Sequence, residues 1–324
     1  EKLQGADSAL LDFTSPGFGE WVSAPDEAKA GMIIRRDGEL IAGSGTGGGG
    51  TFSVGTPSYE LFPNGRYRYP FVRRRPFATV LTDYGCPYPC SYCIMNTIGY
   101  RTRPVGEVMD ELRQLRKLGF RELYFNDQTF GASRKRCLEL LELMERERLN
   151  FGWVCFTRTD ILDEELAGAM QKAGCHTVMF GVESASEDIL EAYDRRTSAD
   201  SARNAIRLCR KMDMKTVATF LLGFPEDDKV SVNRTIDLAL ELEPDYASFN
   251  FAVPRRGTGL RRRALSLGLA EDDTFEMDQA GEEIAMPTRH LSREQMAVLR
   301  RKALRRFYFC LLYTSDAADE LDGV

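Results

Sequence analysis

ATVLTDYGCPYPCSYC, residues 78–93, joins a short β-prone run to three cysteines spaced C-x3-C-x2-C. Thr79, Val80 and Leu81 favour an extended strand. Pro87 and Pro89 push Cys86 and Tyr88 toward extended conformations and remove two amide donors, so the chain wraps instead of entering a helix. Wrapping lets the sulfurs of Cys86, Cys90 and Cys93 converge. A structural zinc site wants four protein ligands, usually as two separated pairs, and the only histidines are His176 and His290. A ferredoxin-type cluster wants a fourth cysteine in register, and none follows Cys93 nearby. Three thiolates suit a cubane cluster with one iron open to a substrate or cofactor. The alternative class is a non-enzymatic iron–sulfur or zinc-binding protein. Cys137, Cys155, Cys175 and Cys209 lie in apolar runs and read as ordinary buried cysteines.

From Pro76 onward, short β-branched or aromatic runs alternate with amphipathic helical patterns. The strand candidates are ATVLTD, ELYF, GWVCF, TVMFG, TVATFLL and YASFNF. After Pro104, Val105, Val108, Met109, Leu112 and Leu115 form one helical stripe that stops at Gly119. Cys137, Leu138, Leu141 and Met144 form the next, and a third helix starts at Asp163 as its N-cap and ends at Gly174. Such alternation implies parallel pairing through right-handed crossovers, hence an α/β sheet or barrel. A barrel carries its chemistry at the C-terminal ends of the strands. The cysteine loop, Asp127, Arg158, Glu183, Gly223 and Asn250 to Pro254 each follow one of the six runs.

The 324 residues are 43% hydrophobic and 28% charged, an ordinary globular composition. No long apolar run or signal peptide appears, so a transmembrane segment is not expected and cytoplasm is the expected location. Eight cysteines then argue for thiols or metal ligands over a disulfide framework. The net charge is −6, and four of the acids, Asp316, Asp319, Glu320 and Asp322, lie at the far end. Overall charge therefore demands neither nucleic acid nor an anionic membrane. The arginine clusters at 73–75, 255–256 and 261–263 read as solvated surface.

GCPYPCSYC, with Tyr92 as the aromatic before the last cysteine, resembles the motif of the radical S-adenosylmethionine (SAM) superfamily. The resemblance extends over about residues 64–265 and takes in FNDQTF, FGVESAS, LLGFPED and VPRRGT. It is strongest to the cobalamin-dependent branch that includes hopanoid-associated and tetrapyrrole-cyclase enzymes. It implies a partial (β/α)6 barrel of the TIM type in which Cys86, Cys90 and Cys93 hold a 4Fe-4S cluster. It also implies that the open iron binds SAM, whose reductive cleavage gives a 5′-deoxyadenosyl radical. Glu183 aligns with a position that contacts SAM. Arg195 could pair with the SAM carboxylate, and Gly223 would admit backbone close to the adenine. Tyr92, Asp127 and Arg158 are further candidates for the cofactor pocket, and no catalytic residue is assigned. The expected partners are a small-molecule or lipid-like substrate and an electron donor such as a flavodoxin or ferredoxin.

Three departures bear on substrate. Gln128 stands where the branch usually has a second acid, Arg256 where a proline is common, and no D-x-H-x-x-G cobalamin signature occurs. Cobalamin, if used, is expected from a domain upstream. Residues 1–63 accordingly read as a linker and hairpin, the hairpin turning at Asp37-Gly38 and the linker including GSGTGGGG. The barrel is expected over 64–265 and a helical appendage over 266–309. Residues 310–324 resemble a translated sequencing adaptor.

Overall fold

The computed structural model describes residues 7–15, 17–25, 27–43, 50–271 and 283–309. Most of the glycine-rich stretch and all of 310–324 lie outside the described residues. At the N-terminal end, β1 (Ser8–Leu10), α1 (Gly17–Ser23), β2 (Met32–Arg36) and β3 (Glu39–Ala42) form a small unit whose strands make an antiparallel sheet in that order. The β2–β3 hairpin turns at Asp37 and Gly38, both with positive φ (51° and 84°), as the Asp-Gly pair requires. The additional strand and helix carry no alternating apolar pattern that would have announced them.

Downstream come β4 (Gly50–Thr51), β5 (Phe77–Val80), β6 (Asp83–Gly85), β7 (Tyr100–Thr102), α2 (Val105–Lys117), β8 (Glu122–Phe125) and α3 (Arg134–Arg146). They are followed by β9 (Gly152–Thr157), α4 (Glu164–Lys172), β10 (Cys175–Glu183), α5 (Glu187–Ala192), α6 (Ala199–Lys211) and β11 (Lys215–Leu222). The last elements are α7 (Lys229–Leu242), β12 (Tyr246–Phe251), α8 (Gly259–Ser266) and α9 (Arg293–Tyr308).

Strands β5, β8, β9, β10, β11 and β12 pair in chain order, every pair parallel, which is the partial barrel expected of six βα units. The helical stripes pack as read: Val105, Val108, Met109, Leu112 and Leu115 are all buried. The Asp163 side chain accepts from the Leu166 amide as an N-cap, and Gly119 and Gly174 end their helices at positive φ. Along β12, Ala247, Phe249 and Phe251 are buried while Ser248 and Asn250 are half-buried on the opposite face. The first set joins the main core beneath the helices, and the second faces the barrel interior.

The N-terminal mouth of that interior is stoppered by the chain preceding β5. Tyr69 stacks on Tyr124 of β8 with ring centroids 4.7 Å apart, and its hydroxyl donates to Met179 Sδ of β10 at 3.2 Å. Phe71 packs edge-on against Tyr246 of β12 at 5.3 Å. The cysteine loop lies at the opposite, C-terminal ends of the strands. β4, β7 and β6 form a separate small sheet in that order at the root of this loop. Among the described residues no helix is long and apolar enough to cross a membrane.

Candidate functional site

The cysteine loop leaves β6 at Gly85, whose φ of 78° and close approach to the Gly99 carbonyl admit no side chain. The turn is held on both flanks by one residue. The Ser91 amide donates to the Tyr193 carbonyl at 2.9 Å, and the Ser91 carbonyl accepts from the Gly259 and Leu260 amides at 2.6 and 3.2 Å. The loop is thus pinned between the segment after α5 and the start of α8. Cys90 is buried, and Cys86 and Cys93 are half-buried. None of the seven described cysteines is in a disulfide.

Each sulfur of the trio has its own partner. Cys86 Sγ lies 3.6 Å from Thr129 Oγ1, and Cys93 Sγ accepts from the Met95 amide at 3.4 Å. Cys90 Sγ receives two guanidinium donors, Arg158 Nη1 at 3.6 Å and Arg195 Nη1 at 3.8 Å. Burial foremost, with Cys86 and Cys90 nearby, pushes the Cys93 thiol up to about 11 against a bonding amide that favours the thiolate. Ligation by a metal must therefore displace its proton.

Around the trio stand most of the residues singled out in the sequence. Glu183 ends β10 with φ of 72°, beyond a register shift between Gly181 and Glu183. A non-glycine residue in this region is uncommon, and such conformations concentrate at functional sites. Burial raises its carboxyl above the usual range, opposed by the Arg195 charge and a hydrogen bond with Tyr92. Arg195 lies 3.8 Å from the Glu183 carboxylate and donates to the Gly181 carbonyl. Burial acts to weaken its hold on its proton, but Tyr92, Glu183 and Cys90 together strengthen it. Tyr92, its hydroxyl held protonated by burial and by Glu183, packs edge-on against Phe224 with centroids 5.6 Å apart.

Arg158 is the most constrained of these groups. It makes paired bonds to Asp160 at 2.8 Å each, donates to the Arg195 carbonyl at 2.9 Å, and lies 4.0 Å over the Tyr88 ring.

Two candidates are placed differently. The Asp127 carboxylate accepts from the Thr82 amide (2.7 Å), the Thr82 hydroxyl (2.6 Å) and the Asp83 amide (3.1 Å). It anchors the chain between β5 and β6. Gly223 has φ of 86°, and a side chain there would meet Met296 Sδ of α9 at 2.9 Å. Its glycine is thus explained by the backbone and by helix packing. Thr129, Asp160, Tyr88 and Asp227 were missed by the sequence reading. Tyr88, Thr129 and Asp227 lie within GCPYPCSYC, FNDQTF and LLGFPED, and Asp160 lies two positions from Arg158.

Among the described residues no three histidine, cysteine or acidic side chains close on a point that a single metal ion could occupy. A cubane instead spreads three thiolates over three of its irons. Its fit here rests on three cysteines outside any disulfide sharing one pinned loop, no fourth metal-ligating side chain grouped with them among the described residues, and cations at the most buried sulfur. Arg195 Nε and Thr197 Oγ1 are buried without hydrogen-bond partners, where buried polar atoms are usually satisfied.

The model of the Radical SAM superfamily matches residues 80–239, which span β5 to α7 and contain the trio, Arg158, Glu183 and Arg195. Residues 80–239 are a radical SAM domain. The chain is similar to an uncharacterized methyltransferase of Pyrococcus horikoshii, 34% identical over 256 residues, which cover 78% of this chain and 55% of that protein. It is also similar to the anaerobic magnesium-protoporphyrin IX monomethyl ester cyclase of Cereibacter sphaeroides, 31% identical over 177 residues, 52% of this chain and 29% of the relative. The chain thus spans about half the length of the first relative and under a third of the second. Among solved structures, the radical SAM methyltransferase TsrM of Kitasatospora setae, with tryptophan and a SAM analogue bound, shares the fold. Its TM-score is 0.68 at 16% identity, covering 94% of this chain and 67% of that one.

Proposed function

We propose that this chain is the catalytic core of an enzyme that binds a 4Fe-4S cluster through Cys86, Cys90 and Cys93 and cleaves SAM reductively to modify a small-molecule substrate. The observation that carries the reading is the pinned loop of three cysteines outside any disulfide at the C-terminal mouth of the barrel, framed by Arg158, Glu183 and Arg195. When bound, such a cluster supplies one electron for breaking the bond between sulfur and C5′ of SAM, and the resulting 5′-deoxyadenosyl radical takes hydrogen from the substrate. The residues of the chain do the rest. Arg195 Nε and Thr197 Oγ1 offer donors to the SAM carboxylate, while Glu183, oriented by Tyr92, accepts from a ligand donor beside them. The stopper of Tyr69 and Phe71 closes the far mouth and limits water entry to a radical site.

The substrate then sits above Phe156, Thr219, Leu221, Ser248 and Asn250, half-buried residues of β9, β11 and β12. This mixed lining suits a largely apolar molecule with a few hydrogen-bonding groups, of the tetrapyrrole-like or lipid-like kind. Methyl transfer, with cobalamin from outside the described residues, is the reading that the name of the Pyrococcus relative favours over ring closure. The electron would come from a flavodoxin- or ferredoxin-like donor in a reducing cytoplasm.

Anaerobic reconstitution with iron and sulfide should yield a cluster whose spectrum changes when SAM is added. With dithionite it should release 5′-deoxyadenosine. Equal iron and sulfide loading after Cys86, Cys90 and Cys93 all become alanine would sink the proposal. Assaying methylated product with and without cobalamin separates the two reaction types.

A further inference from the structure

Arg158 reaches the cysteine loop from the end of β9 and Arg195 from the segment after α5, yet both aim a nitrogen at the same sulfur, Cys90 Sγ. The hydrogen-bond partners of the other two sulfurs are neutral, the Thr129 hydroxyl and the Met95 amide, and the charge that bears on Cys93 from Glu183 is negative. The asymmetry is built in. Arg158 and Arg195 are only 2% and 5% exposed, so their charges act through a medium far less screening than water. A guanidinium does not lose its proton at any working pH, so both charges are permanent. Their orientations are over-determined. Asp160, the Arg195 carbonyl and the Tyr88 ring fix Arg158, while the Gly181 carbonyl and Glu183 fix Arg195.

One-electron reduction adds negative charge to an iron–sulfur cluster, part of which is carried by its thiolate sulfurs. Hydrogen bonds to those sulfurs and nearby charge are among the main controls of the potential. We infer that Arg158 and Arg195 favour the reduced state of a cluster on this loop through the Cys90 sulfur, with Asp160 as a partial counter-charge that limits the effect of Arg158. The inference rests on the cluster reading above. The plainer account makes both arginines braces of the loop. Braces would change iron retention and leave the potential of loaded protein unmoved.

The test is a redox titration, followed by electron paramagnetic resonance, of reconstituted wild type, Arg158→Gln and Arg195→Gln without SAM, each with iron and sulfide counted. In each variant the ratio of reduced to oxidised cluster at the wild-type midpoint should fall about tenfold, a midpoint about 59 mV lower for a one-electron couple. Fully loaded variants with the wild-type midpoint overturn the inference. Should neither arginine variant take up iron, Asp160→Asn decides. Leaving Arg158 uncompensated should shift its midpoint upward, and an unchanged or lower midpoint overturns the inference. Failure of the cluster reading looks different, because wild type itself would then bind no cluster.

Discussion

Glu183 shows how much of the site a single residue carries. Its backbone sits at a φ of 72° and its carboxyl is buried against Tyr92 and Arg195. The FGVES segment pointed to this position by resemblance, but the left-handed conformation had no signal in the sequence. It arises where β10 shifts register against β11. Arg195 shows the opposite limit. Its contact with Cys90 spans 105 positions, and no local pattern records such a meeting. If Glu183 accepts a hydrogen bond from SAM, Glu183→Gln should weaken SAM binding about tenfold, about 1.4 kcal/mol and typical of a hydrogen bond involving a charged group. Iron loading should change little, because Glu183 makes no hydrogen bond to a cysteine sulfur and its charge is a lesser influence on Cys93 than burial. Anaerobic calorimetry of the reconstituted protein measures this, and unaltered affinity would remove Glu183 from the ligand site.

Elements were the most legible scale. Six strands and the stripes of α2 and α4 followed from periodicity and capping, because a pattern of period two or 3.6 is written in adjacent residues. What the pattern hid was the purpose of the turns. Gly223 to Asp227 is the clearest case, since Asp227 Oδ2 accepts from both the Gly223 amide (2.9 Å) and the Phe224 amide (3.0 Å). This turn sets Phe224 against Tyr92 of the cysteine loop and Gly223 against α9. Asp227 is 2% exposed. Burial pushes its carboxyl up to about 6 even though Ser231 and the two amides favour the ionised form. A carboxyl raised on folding stabilises the native state below its unfolded value near 4. That contribution is lost as pH rises through about 6. At roughly 1.4 kcal/mol per tenfold change in proton affinity, the loss is about 3 kcal/mol. Asp227→Asn should therefore show a flatter stability profile than wild type between about pH 4 and 6. Urea unfolding at several pH values gives the comparison, and parallel profiles for the two proteins would contradict it.

At the scale of the whole molecule, the N-terminal unit is tied to the machinery that the sequence appeared to leave it outside. Asp12 Oδ2 pairs with Arg101 Nη1 at 2.5 Å, both groups buried, and Thr14 joins the same guanidinium. Phe13 packs edge-on against Tyr84 with centroids 4.6 Å apart. Arg101 and Tyr84 face each other in the β6–β7 register, and β6 runs directly into Cys86. The unit therefore presses on the root of the cysteine loop. Sequence reading treated residues 1–63 as linker because these contacts join positions almost ninety apart, and only the folded chain brings them together. Removing the Asp12 carboxylate takes a buried ionic partner from Arg101, a loss of up to about 3–5 kcal/mol in buried settings. Asp12→Asn should thus lower global stability and, because Arg101 is one strand from the loop, speed loss of iron to a chelator severalfold. Arg101→Met combined with Asp12→Leu removes both charges and should recover most of the stability, since replacing a buried pair with apolar groups is often neutral. If iron retention also recovers in the double variant, the unit supports the loop by packing. If stability returns while iron still escapes quickly, the Asp12–Arg101 pair itself holds the loop in register.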